Sequence, residues 1–172
     1  MKTTLKKIRS YGPCVNGWEN LLTHLGKTKA DDEPLDLLTI LDSNGLDDTL
    51  WCFRAVEGCD KEIRLYSVWC ARQVQHLMKD PRSINALDVA ERFANGTVSN
   101  EELVAAWDAA RDAARDAAGP AGDAAWAARA AARDAAGPMG AASRNAAWAA
   151  AGAAAREKQE NHLREILKEG GK

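Results

Sequence analysis

The sequence predicts an all-α fold, a multi-helix bundle whose C-terminal half consists of closely packed alanine-rich helices. Between Ala105 and Ala155, 28 of 51 residues are alanine, the residue with the highest intrinsic helix propensity. No part of the chain keeps the apolar–polar alternation of a half-buried strand. The six tryptophans supply bulk that alanine lacks, so alanine faces can approach closely while indole rings fill the wider gaps.

The N-terminal part is expected to contain short helices separated by turn signals. A first helix is expected over residues 3–10. Asn16 is a candidate N-cap for a second helix, with Glu19 as its capping-box partner, and Gly26 ends that helix. Pro34 follows a run of acidic residues and marks the first turn of the next helix.

Asn44-Gly45 is a strong turn signal. A new helix is expected after it, with Asp47 and Asp48 in its first turn. From Asp31 to Asp48 the chain contains seven acidic residues and no basic one. These acids either serve helix N-termini, where negative charge is favourable, or form an acidic surface that meets a basic partner.

Further helices follow with clear punctuation. Asp60 begins a helix that is expected to continue until the chain reaches Pro81. Ser83 is expected to cap the helix after it. Ser99 and Glu102 have capping-box spacing, which predicts the start of the first alanine-rich helix.

Two Gly-Pro pairs divide the alanine-rich part, at Gly119-Pro120 and Gly137-Pro138. A single helix over this stretch would be about 77 Å long, too long for a small domain. Three helices are therefore expected, over residues 100–118, 121–136 and 139–168.

The chain is expected to be one continuous domain, with an N-terminal helical part (1–98) and the alanine-rich part (99–172) packed on it. In the first alanine-rich helix, an apolar stripe lies beside a row of alternating charge. The stripe is Leu103, Trp107, Ala110 and Ala114, and the charged row is Asp108, Arg111, Asp112, Arg115 and Asp116. Such a row is typical of solvated helix surface.

Charge and hydropathy limit the classes of partner and the location. The chain has 23 basic and 25 acidic residues, a net charge of −2, so no direct nucleic-acid binding is expected. No run of 18 apolar residues is present, and the N-terminus lacks the apolar region of a signal peptide. A cytoplasmic protein with no membrane segment is expected.

No catalytic, cofactor or metal motif is found. The four cysteines, Cys14, Cys52, Cys59 and Cys70, contain no C-x-x-C pair, and the three histidines are far apart in sequence, so zinc-ligand spacing is absent. Four free thiols, no metal, no cofactor and no enzymatic activity are expected.

The stretch Leu37–Val56 reads LLTILDSNGLDDTLWCFRAV. Together with the alanine-rich second half, it resembles a family of small immunity-type proteins of bacteria and their phages. This resemblance implies a protein that binds and neutralises a toxin or a defence effector.

Two functions are therefore considered. The first is a stoichiometric inhibitor that binds a protein partner, including a phage anti-defence protein. The second is a small-ligand or nucleotide-signal binding protein that uses arginine and tryptophan between helices. The sequence leaves a homo-oligomer open. The candidate partner-binding surface surrounds the Asn44-Gly45 turn and comprises Asp42, Asn44, Asp47, Asp48, Trp51 and Arg54.

Overall fold

The computed structural model describes residues 1–117, 119–136, 145, 150 and 153–170. The described residues confirm the predicted all-α class: packed helices are accompanied by one two-stranded antiparallel sheet. Two compact units are formed. Unit 1 comprises Met1–Cys59 with Glu160–Lys172, and unit 2 comprises Asp60–Gln159.

The elements are as follows in chain order. Unit 1 contains β1 (Lys2–Thr3), α1 (Leu5–Ser10), α2 (Val15–His24), β2 (Leu35–Asp36), α3 (Leu37–Cys52) and a 3₁₀ turn (Phe53–Ala55). Unit 2 contains α4 (Asp60–Arg72), a 3₁₀ turn (Gln75–Leu77), α5 (Pro81–Ala94), α6 (Asn100–Asp116) and α7 (Gly119–Ala136). The last helix, α8 (Ala153–Glu169), belongs to unit 2 up to Gln159 and to unit 1 from Glu160.

The small sheet of unit 1 fixes the N-terminus against the chain just before α3. Thr3 pairs with Leu35 in antiparallel register, and the buried Thr3 Oγ1 donates a 2.6 Å hydrogen bond to the Ala55 carbonyl. The core of this unit is aliphatic, and its fully buried side chains include Leu5, Ile8, Leu37, Ile40, Leu41, Leu50, Leu163 and Leu167.

Two predicted helix starts in unit 1 are wrong. Cys14, and not Asn16, caps α2, because its Sγ accepts from the Gly17 amide at 3.4 Å. α3 begins at Leu37 with Asp36 as its cap, and not at Pro34, because the two residues after this proline are extended in β2. The predicted end of α2 is confirmed: Gly26 has φ +63° and the Lys27 amide donates back to the Leu22 carbonyl, as in a Schellman motif.

The turn signal at Asn44-Gly45 produces a kink inside α3. Gly45 has φ 78° and ψ −174°, a conformation outside the helical region that is essentially restricted to glycine. The Thr49 Oγ1 donates to the Gly45 carbonyl, one helical turn earlier, at 2.8 Å. The two predicted helices are therefore two segments of one interrupted helix.

Unit 2 is organised around α7, which packs against α4, α5 and α6. Its alanines are buried on several sides of the helix: Ala124, Ala125, Ala127, Ala128, Ala130, Ala131 and Ala132 each expose 3% or less. Trp126, Arg129 and Arg133 lie on the side of α7 that stays partly exposed. On the other sides, alanine allows three neighbouring helices to approach closely. The expected close packing of alanine-rich helices is thus confirmed for α6 and α7.

Other boundaries in unit 2 differ from the sequence predictions in detail. α4 ends at Arg72, well before Pro81, and a 3₁₀ turn follows. Asp80 caps α5 through the Arg82 amide, whereas Ser83, the predicted cap, is fully buried inside the helix.

The predicted start of the first alanine-rich helix agrees with the structure. The Ser99–Glu102 capping box is confirmed, with both bonds at 3.3 Å. The predicted boundary at Gly137-Pro138 lies outside the described residues. The expected division at residue 98 falls between α5 and α6 and stays a prediction.

Candidate functional site

The predicted surface around the α3 kink borders a small cleft in unit 1, which we call the α2–α3 cleft. Its volume is about 90 Å³. Trp18, Leu21, Ile40 and Trp51 supply its apolar lining, and Asn44 and Asp48 supply its polar lining. A largely apolar concave site with a few placed polar groups is the usual form of a binding pocket, and this cleft has room for one apolar side chain.

Asn44 holds the two walls of the cleft together. Its Nδ2 donates to the Gly17 carbonyl of α2 at 2.8 Å and to Asp48 Oδ2 of α3 at 2.9 Å. Its Oδ1 accepts from Ser43 Oγ at 2.6 Å. A second tie joins the same helices, because Asn20 Nδ2 donates to the Ser43 carbonyl at 2.6 Å. The amide of Asn44 is therefore used to fix the shape of the cleft.

An arginine side chain lies over the ring of each tryptophan that lines the cleft. The guanidinium carbon of Arg54 lies 4.3 Å from the ring centroid of Trp51, and Arg54 Nε also donates to the Trp51 carbonyl at 2.8 Å. The guanidinium carbon of Arg9 lies 5.3 Å from the centroid of Trp18. Both indoles are only half buried, so part of each ring faces solvent. The cation–π contact with the arginine favours one orientation of each ring.

The six predicted site residues divide into two groups. Asn44, Asp48 and Trp51 line the cleft. Asp42, Asp47 and Arg54 are exposed, and Arg54 covers Trp51 at the rim. Asp42 Oδ1 accepts from Arg164 of α8 at 2.5 Å, so its charge is compensated within the protein. Whether these residues contact a partner stays a prediction.

Sequence reasoning missed the part of the cleft that α2 contributes. Trp18 and Leu21 have the spacing of one apolar helical face, which is typical of core residues, but Trp18 is half buried and lines the cleft. Gly17 and Cys14, at the start of α2, also line it. The one local signal was the glycine in a first helical turn, where glycine is unfavourable unless a neighbour needs close approach.

The cleft is lined by one buried thiol, Cys52. Burial raises the pKa of the Cys52 thiol to about 12; Asp48 adds to the rise and Arg54 opposes it. This thiol is therefore protonated at neutral pH and is a poor nucleophile. None of the four cysteines is in a disulfide bond; Cys14 is exposed and the other three are buried. Among the described residues, no group of three or more His, Cys, Asp or Glu side chains could hold a metal ion.

Comparison with known proteins gives no match: no family model, no curated protein and no solved structure is significantly similar to the chain. Within the described part of the chain, no helix has the length and apolar character needed to cross a membrane.

Proposed function

We propose that this protein is a non-enzymatic inhibitor that neutralises a protein partner, a toxin or an antiviral-defence effector, by stoichiometric binding at the α2–α3 cleft. The observation that carries the proposal is the pair of half-buried tryptophans, Trp18 and Trp51, facing one apolar cleft of about 90 Å³. Tryptophan and arginine are the residue types that most often dominate interface energetics. The resemblance of Leu37–Val56 to immunity-type proteins supports the choice of partner class.

Pre-organisation of the cleft supports the proposal. Its walls are tied through Asn44, Gly17 and Asp48 and through Asn20 and Ser43. A preformed cleft loses little side-chain freedom when a partner's apolar residue enters it, and this saving favours affinity. The exposed Asp47 lies on the α3 segment that also carries Asp48 and Trp51, and its charge favours encounter with a basic partner.

The proposal is tested first by stoichiometry. The tagged chain is expressed in its native host, the captured protein is identified, and the purified pair is titrated by calorimetry. We expect a 1:1 complex and loss of the partner's activity that is complete at one equivalent. Inactivation of the partner by sub-stoichiometric amounts would show turnover and contradict the proposal.

A further inference from the structure

Unit 2 contains an arginine that lies between two tryptophans. The guanidinium carbon of Arg129, on α7, lies 4.9 Å from the ring centroid of Trp126 and 5.2 Å from that of Trp107 on α6. The guanidinium of Arg111 lies against the same Trp107 ring at 5.5 Å. We call these four side chains the Arg129 cluster. Trp126 exposes 36% of its surface, and both arginines are partly exposed, so the cluster is reached from solvent.

Arg129 differs from its neighbours in its charge balance. Arg111 pairs with Asp108 at 3.0 Å, and Arg115 lies 3.7 Å from Asp112. Arg133 lies 3.8 Å from Asp134. Among the described residues, Arg129 makes no ion pair with a carboxylate, and its guanidinium lies against the faces of two indoles.

The cluster also contains more buried donors than acceptors. Three buried N–H groups have no hydrogen-bond partner among the described residues: Trp107 Nε1, Arg111 Nε and Arg129 Nε. Buried polar groups are nearly always paired, and an exception needs an explanation. Three side chains of this cluster therefore each carry a donor without an acceptor among the described residues.

The electrostatic environment of Arg129 also favours an anion beside it. The pKa of the Arg129 guanidinium is lowered, first by burial and then by the charges of Arg133, Arg111 and Arg115, against a smaller opposing effect of Asp108. The positive charge of Arg129 is therefore less favourable in the protein than in water. An anion beside the guanidinium would relieve both the burial of the charge and the repulsion between arginines.

We infer that the Arg129 cluster binds a small phosphorylated ligand, with the phosphate held by Arg129 and Arg111. Phosphate carries negative charge and three strong acceptor oxygens, and the arginine fork pairs with it in a bidentate manner. The exposed Trp126 is placed to stack on an aromatic group of the same ligand, such as a nucleobase. This site is separate from the proposed partner-binding cleft and goes beyond the inhibitor function.

The experiment is a calorimetric titration of the full chain at low salt with pyrophosphate, ATP and adenosine. We expect pyrophosphate and ATP to bind, with affinities that fall as salt is added. Tighter binding of ATP than of pyrophosphate would show that the base also contacts Trp126, and equal binding would show recognition of phosphate alone. Adenosine is expected to bind far more weakly than ATP.

Two variants assign the site. Arg129→Gln is expected to weaken pyrophosphate binding by about tenfold or more, since it removes a charge-assisted hydrogen-bond donor. Arg129→Lys retains the charge without the fork and is expected to give an intermediate loss, which keeps the test usable if the Gln variant does not fold. Arg82→Gln is the matched control, because Arg82 of the same unit already pairs with Asp80 and Asp116, and it should bind like the unmodified chain.

The inference is overturned if the unmodified, folded chain binds neither pyrophosphate nor ATP at low salt. It is equally overturned if the folded Arg129 variants bind pyrophosphate as tightly as the unmodified chain, or if adenosine binds as tightly as ATP.

Discussion

Gly17 and Asp48 approach so closely that a methyl group on Gly17 would lie 2.6 Å from Asp48 Oδ2. This glycine is helical, and its lack of a side chain leaves room for the carboxylate that accepts from Asn44. Alanine at position 17 would raise the helix propensity of α2 by about 1 kcal/mol. It would also displace the Asp48 carboxylate from its hydrogen bond.

A double-mutant cycle separates these two effects. We expect Gly17→Ala to be neutral or destabilising in the unmodified chain, and to stabilise by up to about 1 kcal/mol in an Asp48→Ala background. Urea unfolding measures both. Asn16→Ala, at an exposed position of the same helix, is the control and should have the same small effect in both backgrounds. Equal effects of Gly17→Ala in the two backgrounds would disprove the steric explanation.

The pH dependence of stability reports on Asp80. Its pKa is lowered by hydrogen bonds from the side chain and the backbone of Arg82. A carboxyl group with a lowered folded-state pKa stabilises the fold above its unfolded pKa of about 3.9, and this contribution is lost as the pH falls through the folded pKa.

Two substitutions at Asp80 separate the cap from the ion pair. Asp80→Ala is expected to cost about 1 kcal/mol at pH 7, because it removes the N-cap of α5. Asp80→Asn keeps the cap and loses the ion pair with Arg82, so it should cost less. The difference in the free energy of unfolding between the unmodified chain and Asp80→Asn, measured with urea, should become smaller below about pH 4. A constant difference from pH 7 to pH 3 would show that the charge of Asp80 does not stabilise the fold.

Thiol reactivity tests the burial of the cysteines. Cys14 is exposed, whereas Cys52, Cys59 and Cys70 are buried, and the pKa of Cys52 is raised to about 12. In a native titration with a chromogenic disulfide at pH 8, we expect one thiol to react rapidly, and four after denaturation. Cys14→Ser should abolish the rapid phase. Rapid reaction of two or more thiols in the folded chain would contradict the burial of the other three.

Asp47 tests the electrostatic part of the proposed function. Asp47→Lys is expected to slow association with the captured partner several-fold and to flatten its dependence on salt, while dissociation changes little. Asp48 is left intact, because its carboxylate is tied to Asn44. Glu169→Lys, at the exposed C-terminal end of α8 in the same unit, matches the change in net charge. If both variants slow association equally, the effect belongs to the net charge and not to this surface.

Local sequence signals predicted that the helices exist. Several of their caps and boundaries depend on tertiary contacts and could not be predicted from the sequence. The Ser99–Glu102 box depends on neighbouring residues only, so it could be predicted from the sequence. Asn44-Gly45 predicted an interruption at the right place, but the structure has a kink inside one helix and not a turn between two helices. The cap of α2 could not be predicted in this way, because it is the thiol of Cys14. The start of α3 could not be predicted either, because Leu35 pairs with the distant Thr3 in the sheet and the helix begins only after this pairing.

The site was half predicted for the same reason. Asn44, Asp48 and Trp51 lie on one segment of chain, so a single turn signal found them. The opposite wall, with Gly17 and Trp18, faces them only after α2 has packed against α3. In the alanine-rich half, composition predicted close packing but did not show that α7, rather than α6, is the helix buried on several sides.

The central claim is that the partner binds at the α2–α3 cleft. Its most direct test compares the affinity of the captured partner for the Trp51→Ala variant with its affinity for the Trp126→Ala variant. Trp51 lines the α2–α3 cleft, and Trp126 is a partly exposed tryptophan of unit 2. With both variants shown to be folded by circular dichroism, we predict that Trp51→Ala weakens partner binding at least about thirtyfold, a hot-spot loss of ~2 kcal/mol, and that Trp126→Ala binds like the unmodified chain. Unchanged affinity of folded Trp51→Ala would show that the partner does not use the cleft.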